Sequence, residues 1–208
     1  MPKKFIIGIT GGSGVGKTTL IELLRKEFPN KITTFSLDNY YLPIEKQQRD
    51  ENGIVNFDLP TALDTKRMAA DFLKLVEGQD ISFSTYNFNN PIGDRSDVSL
   101  VSKDILLVEG LFVMCYPFLK QRLDYAVYLK MDPDLQFERR LKRDLQERNY
   151  SKEDIIYQWK HHVLPAYNNY VLPYIDEVDL IITNNQSFDE NINVLIDKIR
   201  NVLSVISE

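Results

Sequence analysis

A glycine-rich segment near the N-terminus, GGSGVGKT at positions 11–18, carries residues suited to binding a polyphosphate. It matches the pattern G-x-x-x-x-G-K-[ST], known as a P-loop, in which glycines let backbone N–H groups approach phosphate oxygens without obstruction by Cβ atoms. At its end, Lys17 can reach the β and γ phosphates, and the Thr18 hydroxyl can ligate Mg²⁺. An apolar run precedes the segment and a helical pattern follows it, as this mechanism requires. The predicted nucleotide-binding residues are Gly11, Gly12, Ser13, Gly14, Val15, Gly16, Lys17, Thr18 and Thr19.

Two acidic residues directly follow apolar runs and could act beside the phosphates. Glu109 ends the run ILLVE, and a carboxylate at the carboxyl edge of a parallel sheet next to the P-loop would ligate the metal. Asp38 follows the second apolar run, and where that strand neighbours the P-loop strand its carboxylate faces the γ phosphate and can accept a hydroxyl proton. The simpler interpretations are a surface residue for Glu109 and a turn or helix cap for Asp38.

Several arginines fall within one predicted helix, from Pro133 to Arg148. Arg143 follows Arg139 by four residues and Arg140 by three, so these cations share a helix face. Spacing alone favours a solvated face whose charge is balanced by the neighbouring acidic residues Glu138, Asp144 and Glu147. Phosphoryl transfer also needs cations around the transferring group and the exclusion of water, so an arginine-bearing lid is the alternative.

The elements that must position these residues alternate along the chain. Five short apolar runs, at 5–10, 32–37, 105–108, 125–130 and 178–183, are typical of strands covered by helices on both faces. Helical patterns span 17–28, 61–77, 133–148, 151–170 and 188–206. The alternation predicts an α/β fold with a mainly parallel sheet. The stretch 81–101 predicts a small antiparallel β insertion, and such interruptions often carry binding residues.

Composition limits the class of protein. With 43% hydrophobic and 26% charged residues, the 208-residue chain resembles a globular protein of one domain. A formal charge of −5 argues against a dominant nucleic-acid interface, which would need a basic excess. No apolar run approaches the roughly 18 residues of a membrane span, and no signal-peptide core precedes Gly8, so we expect a soluble, cytoplasmic protein. The single cysteine, Cys115, is predicted to pack in the core.

Five motifs occur in order along the chain: the P-loop, SLDNYY at 36–41, NFDLP at 56–60, TYNF at 85–88 and LVEG at 107–110. In this combination the sequence resembles the uridine kinase and phosphoribulokinase family of P-loop kinases, uridine-cytidine kinases most closely, from about Phe5 to Thr183. The resemblance implies a P-loop NTPase three-layer fold in a single kinase domain over residues 1–208. It further implies ATP and Mg²⁺ as cofactors, and the 5′-hydroxyl of uridine or cytidine as the phosphate acceptor, as in pyrimidine salvage.

The same resemblance implies roles for individual residues. Asp38 would be the general base for the 5′-hydroxyl, and Asp58, otherwise a turn residue, would hold ribose hydroxyls. The residues implied to contact the nucleoside are Asp38, Tyr41, Phe57, Asp58, Tyr86, Phe88, Arg140 and Gln158. Residues 133–150 would be the lid, in which Arg143 and Arg148 serve the triphosphate. Lys17, Asp38 and Arg143 are thus the implied catalytic residues, and Thr18 and Glu109 the implied metal ligands.

The sequence departs from the family pattern at two places. Uridine-cytidine kinases follow the Tyr-x-Phe element with a histidine that reads the pyrimidine edge, whereas this chain has NNPIGDR at 89–95. The lid has Asn149 and Tyr150 where the family usually ends in Gly-Arg. The two histidines of the chain, His161 and His162, are adjacent and so lie on different helix faces, which favours packing or solvent exposure over metal binding.

Two alternatives stay open at this stage. The first is a different small acceptor within the same family, such as another nucleoside or a sugar phosphate. The second is a switch module that hydrolyses ATP or GTP slowly, although a GTPase would be expected to carry Asn-Lys-x-Asp where this chain has TNNQ at 183–186. We expect a small-molecule partner and neither nucleic acid nor membrane. A homo-oligomer is left open.

Overall fold

A parallel sheet lies at the centre of the computed structural model, which describes residues 4–85, 96–147 and 150–206. The strands in those ranges are β1 (Phe5–Gly11), β2 (Ile32–Ser36), β3 (Ile81–Thr85), β4 (Ser96–Leu100), β5 (Ile105–Glu109), β6 (Tyr125–Lys130) and β7 (Leu180–Thr183). The parallel sheet has the order β2-β5-β1-β6-β7, and β3 pairs with β4 in a separate antiparallel sheet. The predicted α/β class, the mainly parallel sheet and the antiparallel insertion are confirmed.

Helices connect these strands. They are α1 (Lys17–Glu27), α2 (Thr65–Val76), α3 (Pro117–Lys120), α4 (Pro133–Glu147), α5 (Lys152–Gln158), α6 (Leu164–Tyr170) and α7 (Asn191–Ile206). The Asp64 carboxylate accepts the Arg67 N–H at the start of α2, and the Ser151 hydroxyl accepts the Asp154 N–H at the start of α5. These side chains satisfy N–H groups that a helix leaves unpaired at its first turn. Among the described residues, no helix combines the length and the apolar composition of a membrane span.

Apolar side chains on the two faces of the sheet build separate cores, which gives the fold three layers. On one face of β1, Ile9 packs in a core with Leu24 of α1 and Leu195 of α7. On the opposite face, Ile6 packs in a core with Phe72 of α2. Successive strand residues point to opposite faces and both faces are covered, so the central strands are apolar throughout rather than alternating.

The helix predicted over residues 151–170 is divided by a π-helical turn, Trp159–Val163. In this wider turn the Leu164 N–H bonds to the Trp159 carbonyl oxygen, five residues earlier. Pro165 follows at once, and a proline offers no N–H to the carbonyl four residues before it and collides with that carbonyl in an α-helix. The wide turn therefore accommodates the proline without breaking the path of the chain.

The position of β2 corrects the reasoning that singled out Asp38. β2 pairs with β5 and β5 pairs with β1, so β2 does not neighbour the P-loop strand. The chain passes over one strand position between β1 and β2, and β5 fills that position later. Asp38 still reaches the same sheet edge, because Ser36 is in register with Glu109 and the chain continues in a short 3₁₀ helix, Leu37–Tyr40.

The described core predicts unequal effects of two Leu→Ala substitutions. Leu107 of β5 is fully buried in the core that includes Ile9, whereas Leu73 of α2 is 38% exposed. Leu107→Ala leaves a cavity and should lower the free energy of unfolding by about 2–5 kcal/mol. The control Leu73→Ala should change it by about 0.5 kcal/mol or less. Urea unfolding followed by circular dichroism measures both, and equal losses would contradict this core.

Candidate active site

The P-loop joins the end of β1 to the start of α1 at the carboxyl edge of the sheet. Gly11 has a φ of +146°, and a Cβ atom there would overlap the carbonyl oxygen of Leu129 on β6. Gly16 has a φ of +98° immediately before α1, in the left-handed region that favours glycine. Because residue 16 has no side chain, no side-chain cap satisfies the first N–H groups of α1. Such N–H groups bind anions at helix N-termini.

The Lys17 ammonium group folds back over the P-loop. Its Nζ atom donates to the carbonyl oxygens of Gly11, at 3.0 Å, and Gly12, at 3.1 Å. Desolvation lowers the pKa of Lys17 and outweighs the opposing effect of the Glu109 and Asp38 carboxylates. The ammonium group is thus held in place by backbone oxygens, with two acidic side chains facing it.

Glu109 ends β5 beside the P-loop, as the sequence predicted, and accepts a hydrogen bond from the Ser36 hydroxyl. Burial raises the pKa of the Glu109 carboxyl, and the negative charge of Asp38 raises it further. The Lys17 charge and the Ser36 hydrogen bond act in the opposite direction. Ser36 also accepts the Asp38 N–H at 3.3 Å, so a residue not assigned to the site positions both acids.

Helix α4 is fixed to the P-loop through Ser13. The Gln136 side-chain amide donates to the Ser13 carbonyl oxygen at 2.7 Å, and Nη1 of Arg140 donates to the Ser13 hydroxyl at 2.9 Å. The resemblance placed Arg140 on the nucleoside side, whereas its guanidinium here contacts the phosphate loop. Gln136 was not assigned to the site, and only the tertiary contact identifies it.

The arginine face of α4 is not the solvated face that spacing favours. Asp144 is fully buried, with Arg140 at 3.2 Å and Arg143 at 2.8 Å from its carboxylate oxygens. Arg140 is itself only 5% exposed. The expectation of solvation is therefore wrong for Arg140, because Asp144 one turn later supplies a buried counter-charge. Arg143 is half-buried, and both arginines face the cavity described below.

A further wall of the site is built by residues 48–58, which we call the acceptor hairpin after the role proposed for them below. Its two arms are joined by the Asn56 N–H, which donates to the Gln48 carbonyl oxygen at 2.8 Å. The Asn56 side chain then accepts the Asp58 N–H at 2.9 Å. The ring of Phe57 meets the ring of Tyr41 edge-on, with centroids 6.1 Å apart. The hairpin thus presents an aromatic edge and a half-buried carboxylate next to each other.

A cavity of about 450 Å³ connects the P-loop to the acceptor hairpin. The sequence-predicted residues that line it are Ser13, Gly14, Gly16, Lys17, Thr18, Thr19, Asp38, Tyr41, Phe57, Asp58, Glu109, Arg140, Arg143 and Gln158. Gly11, Gly12 and Val15 lie behind it, buried. Tyr86, Phe88 and Arg148 lie outside the described residues, as does the segment 89–95 that replaces the family histidine.

Further residues line the same cavity: Val55, Leu111, Arg139, Tyr150 and His162. Val55 directly precedes the motif NFDLP and Leu111 directly follows the motif LVEG, and this closeness in sequence could have identified both residues. His161 is exposed and His162 is buried, which confirms that the two face different ways. The predicted packing role describes only part of the environment of His162, because its side chain also lines the cavity.

The oxygen atoms beside the P-loop suit a divalent cation of the Mg²⁺ type. The Thr18 hydroxyl and the Glu109 carboxylate line the same cavity. Mg²⁺ prefers oxygen ligands and usually takes one or two from the protein, with the others from substrate phosphates and water. The described residues contain no group of three or more His, Cys, Asp or Glu side chains that could hold a metal. This donor set therefore fits a cation that arrives with a phosphate.

Comparison with known proteins is informative over nearly the whole chain. Residues 6–190 match the model of the phosphoribulokinase / uridine kinase family. Uridine-cytidine kinase B from Dictyostelium discoideum is 33% identical over 201 residues, which are 96% of this chain and 83% of that protein. A uridine kinase from Streptococcus agalactiae serotype V is 30% identical over 203 residues, 97% of each chain. The structure of phosphoribulokinase from Rhodobacter spheroides superposes with a TM-score of 0.64 at 18% identity, covering 89% of this chain and 71% of that one.

The charges around Glu109 predict opposite effects of two substitutions on its pKa. Asp38→Asn removes a negative charge that favours the protonated form, so the pKa of Glu109 should fall. Ser36→Ala removes a donor to the ionised form, so the pKa should rise. Carbon-13 NMR titration of the Glu109 carboxyl measures both shifts. Asp197→Asn, at an exposed site on α7, is the control and should leave the titration unchanged. Shifts in the same direction in both site variants would refute this arrangement.

Proposed function

The chain belongs to the phosphoribulokinase / uridine kinase family, and on that premise we propose that it transfers the γ-phosphate of ATP to the 5′-hydroxyl of uridine or cytidine. One observation carries the proposal: a single cavity holds Lys17 and Thr18 of the P-loop, the Asp38 carboxylate and the Asp58 carboxylate. A donor end suited to phosphates and an acceptor end suited to hydroxyl groups are thus continuous. Relatives named uridine kinase and uridine-cytidine kinase at 30–33% identity support a nucleoside acceptor.

At the donor end, the chain stabilises charge on the triphosphate. The first N–H groups of α1 and the Lys17 ammonium provide hydrogen-bond donors in fixed positions, which need no reorganisation as charge develops on the transferring group. Arg143, held by Asp144, adds a cation from the other side of the cavity. Mg²⁺, when bound through Thr18 and Glu109, would neutralise phosphate charge.

Asp38 is the general base in this proposal. Its carboxylate is exposed within the cavity, and the backbone on either side of it is fixed by the Ser36 hydrogen bond and the 3₁₀ turn. A carboxylate there can orient the acceptor hydroxyl toward the γ-phosphate and take its proton. Glu109 is shielded from this role, because it accepts the Ser36 hydroxyl and faces Lys17.

At the acceptor end, the proposed contacts come from the acceptor hairpin and α5. Asp58 would accept hydrogen bonds from ribose hydroxyls, and the aromatic pair Tyr41 and Phe57 would pack against the nucleoside. Gln158 lines the cavity at the end of α5 and supplies both a donor and an acceptor. Helix α4, fixed to the P-loop through Ser13, covers the phosphate side and limits access of water as a competing acceptor.

A steady-state comparison of acceptors tests the proposal. Purified protein with ATP and Mg²⁺ should phosphorylate uridine and cytidine, and 2′-deoxyuridine should be a much poorer substrate because Asp58 would be desolvated without its donor. Asp58→Ala should lower kcat/KM for uridine and narrow the difference between the two sugars. Adenosine and ribulose 5-phosphate complete the panel. Turnover of the sugar phosphate alone would favour the other acceptor class, and ATP hydrolysis that no acceptor stimulates would favour a switch module.

Substitution of Asp38 tests the assignment of the base. Asp38→Asn keeps the shape of the side chain but removes its basicity, so kcat should fall by about 100-fold or more, the usual contribution of a general base. The KM for ATP should change little, since Asp38 does not hold the triphosphate in this proposal. Asp197→Asn serves again as the remote control. Normal kcat with a collapsed affinity for ATP would assign Asp38 to the nucleotide instead.

A further inference from the structure

A cluster of hydrogen bonds at the acceptor end of the cavity converges on one carboxylate, that of Asp50. Its Oδ2 atom lies 2.7 Å from Nε2 of His162 and accepts the Tyr157 hydroxyl at 2.8 Å. Its Oδ1 atom accepts the backbone N–H groups of Asn52 and Ile54, both at 2.9 Å. The carboxylate therefore joins the tip of the acceptor hairpin to the end of α5 and the π-helical turn.

The protonation of this cluster follows from its donors. Partial burial acts to raise the pKa of Asp50, but the hydrogen bonds from His162, Ile54, Tyr157 and Asn52 together hold it well below its ordinary value. Asp50 is thus ionised at neutral pH and can only accept hydrogen bonds. His162 must then carry its hydrogen on Nε2, and the carboxylate fixes both the tautomer and the orientation of the ring.

The two segments that the cluster joins both contribute to the acceptor end of the cavity. The acceptor hairpin runs directly from Asp50 to Phe57 and Asp58, and Gln158 adjoins Tyr157 in the chain. His162, whose side chain is 2% exposed, lines the same cavity. Asp50 and His162 are 112 residues apart in sequence, so their contact sets the distance between two otherwise remote walls of the site.

We propose that Asp50 and His162 form a positioning pair that holds the acceptor hairpin, and with it Asp58, against α5 in the geometry that binds the acceptor. The inference rests on the proposed function, because it assigns Asp58 to acceptor binding. The pair acts through Asp58 and Gln158, and the hydrogen bonds of Asp50 go to His162, Tyr157 and the hairpin backbone rather than to the P-loop. Its effect is therefore on the acceptor and not on ATP.

Steady-state kinetics with the His162→Leu and His162→Gln variants test the pair. Leucine fills the buried space but removes the His162 donor that links Asp50 to the π-helical turn, so the KM for uridine should rise about tenfold or more, as expected for a lost hydrogen bond to a charged group. The KM for ATP should stay within about twofold, because the P-loop contacts are unchanged. Glutamine places an N–H near the position of Nε2, and it should restore most of the uridine affinity.

A remote control and a double variant sharpen the result. Asp197→Asn, at an exposed site on α7, should leave the KM for uridine unchanged. The double variant Asp50→Asn/His162→Leu should raise the KM for uridine no more than the more damaging of its two single substitutions. Each single substitution already breaks the same contact between Asp50 and His162. Equal rises in KM for uridine and ATP, or equal effects of leucine and glutamine, would show that His162 serves packing alone.

Hydrogen exchange separates failure of this inference from failure of the proposed function. In His162→Leu, exchange at the Asn52 and Ile54 amides should accelerate while exchange in the central strands stays unchanged. If uridine is not a substrate but another acceptor of the panel is, the same comparison of KM values is made with that acceptor. Unchanged exchange at these two amides overturns the positioning role whatever the substrate.

Discussion

The electrostatic interaction of one ammonium group with two carboxyl groups, at the carboxyl edge of a parallel sheet, is the constraint on which the site depends. Lys17 faces Glu109 and Asp38 in a partly dehydrated space, where unlike charges attract strongly and like charges repel. Ser36 satisfies one carboxylate and fixes the backbone of the other. Strand register makes this possible, because β5 lies between β1 and β2 and places Glu109 opposite Ser36.

The two ends of the cavity are built by different physical means. The phosphate end relies on backbone groups, glycine conformations and the contacts of α4 with Ser13, all of which suit a ligand with many charged oxygens. The acceptor end relies on side chains from distant parts of the chain, joined through Asp50. In the proposed function, affinity for phosphate is therefore a general property of the fold, while recognition of the acceptor depends on the particular side chains of this chain.

The sequence predicted those features that local pattern determines. The P-loop and Glu109 lie at strand ends, and their places follow from alternating elements and from the rule that ligands bind at the carboxyl edge. Asp38 was placed correctly at this edge, but on the wrong premise that β2 neighbours β1. Strand β5, which comes later in the chain, lies between them, and local pattern does not predict that order. The contact of Arg140 with Ser13 and the orientation of His162 by Asp50 each join residues more than 100 positions apart in the sequence. No periodicity within a helix contains that information.

The π-helical turn also determines where this chain can change in length. Each residue of an α-helix turns the chain by about 100°, so an added or deleted residue ordinarily rotates one end of a helix against the other. The wide turn Trp159–Val163 holds one residue more than a regular turn and absorbs it without rotating α5 against α6. Deleting one residue there would restore regular winding, in which Pro165 would collide with the carbonyl group four residues before it. Insertions and deletions in the surface connections of the fold carry no such penalty. The widened turn is thus a place where the number of residues, and not only their identity, is under physical constraint.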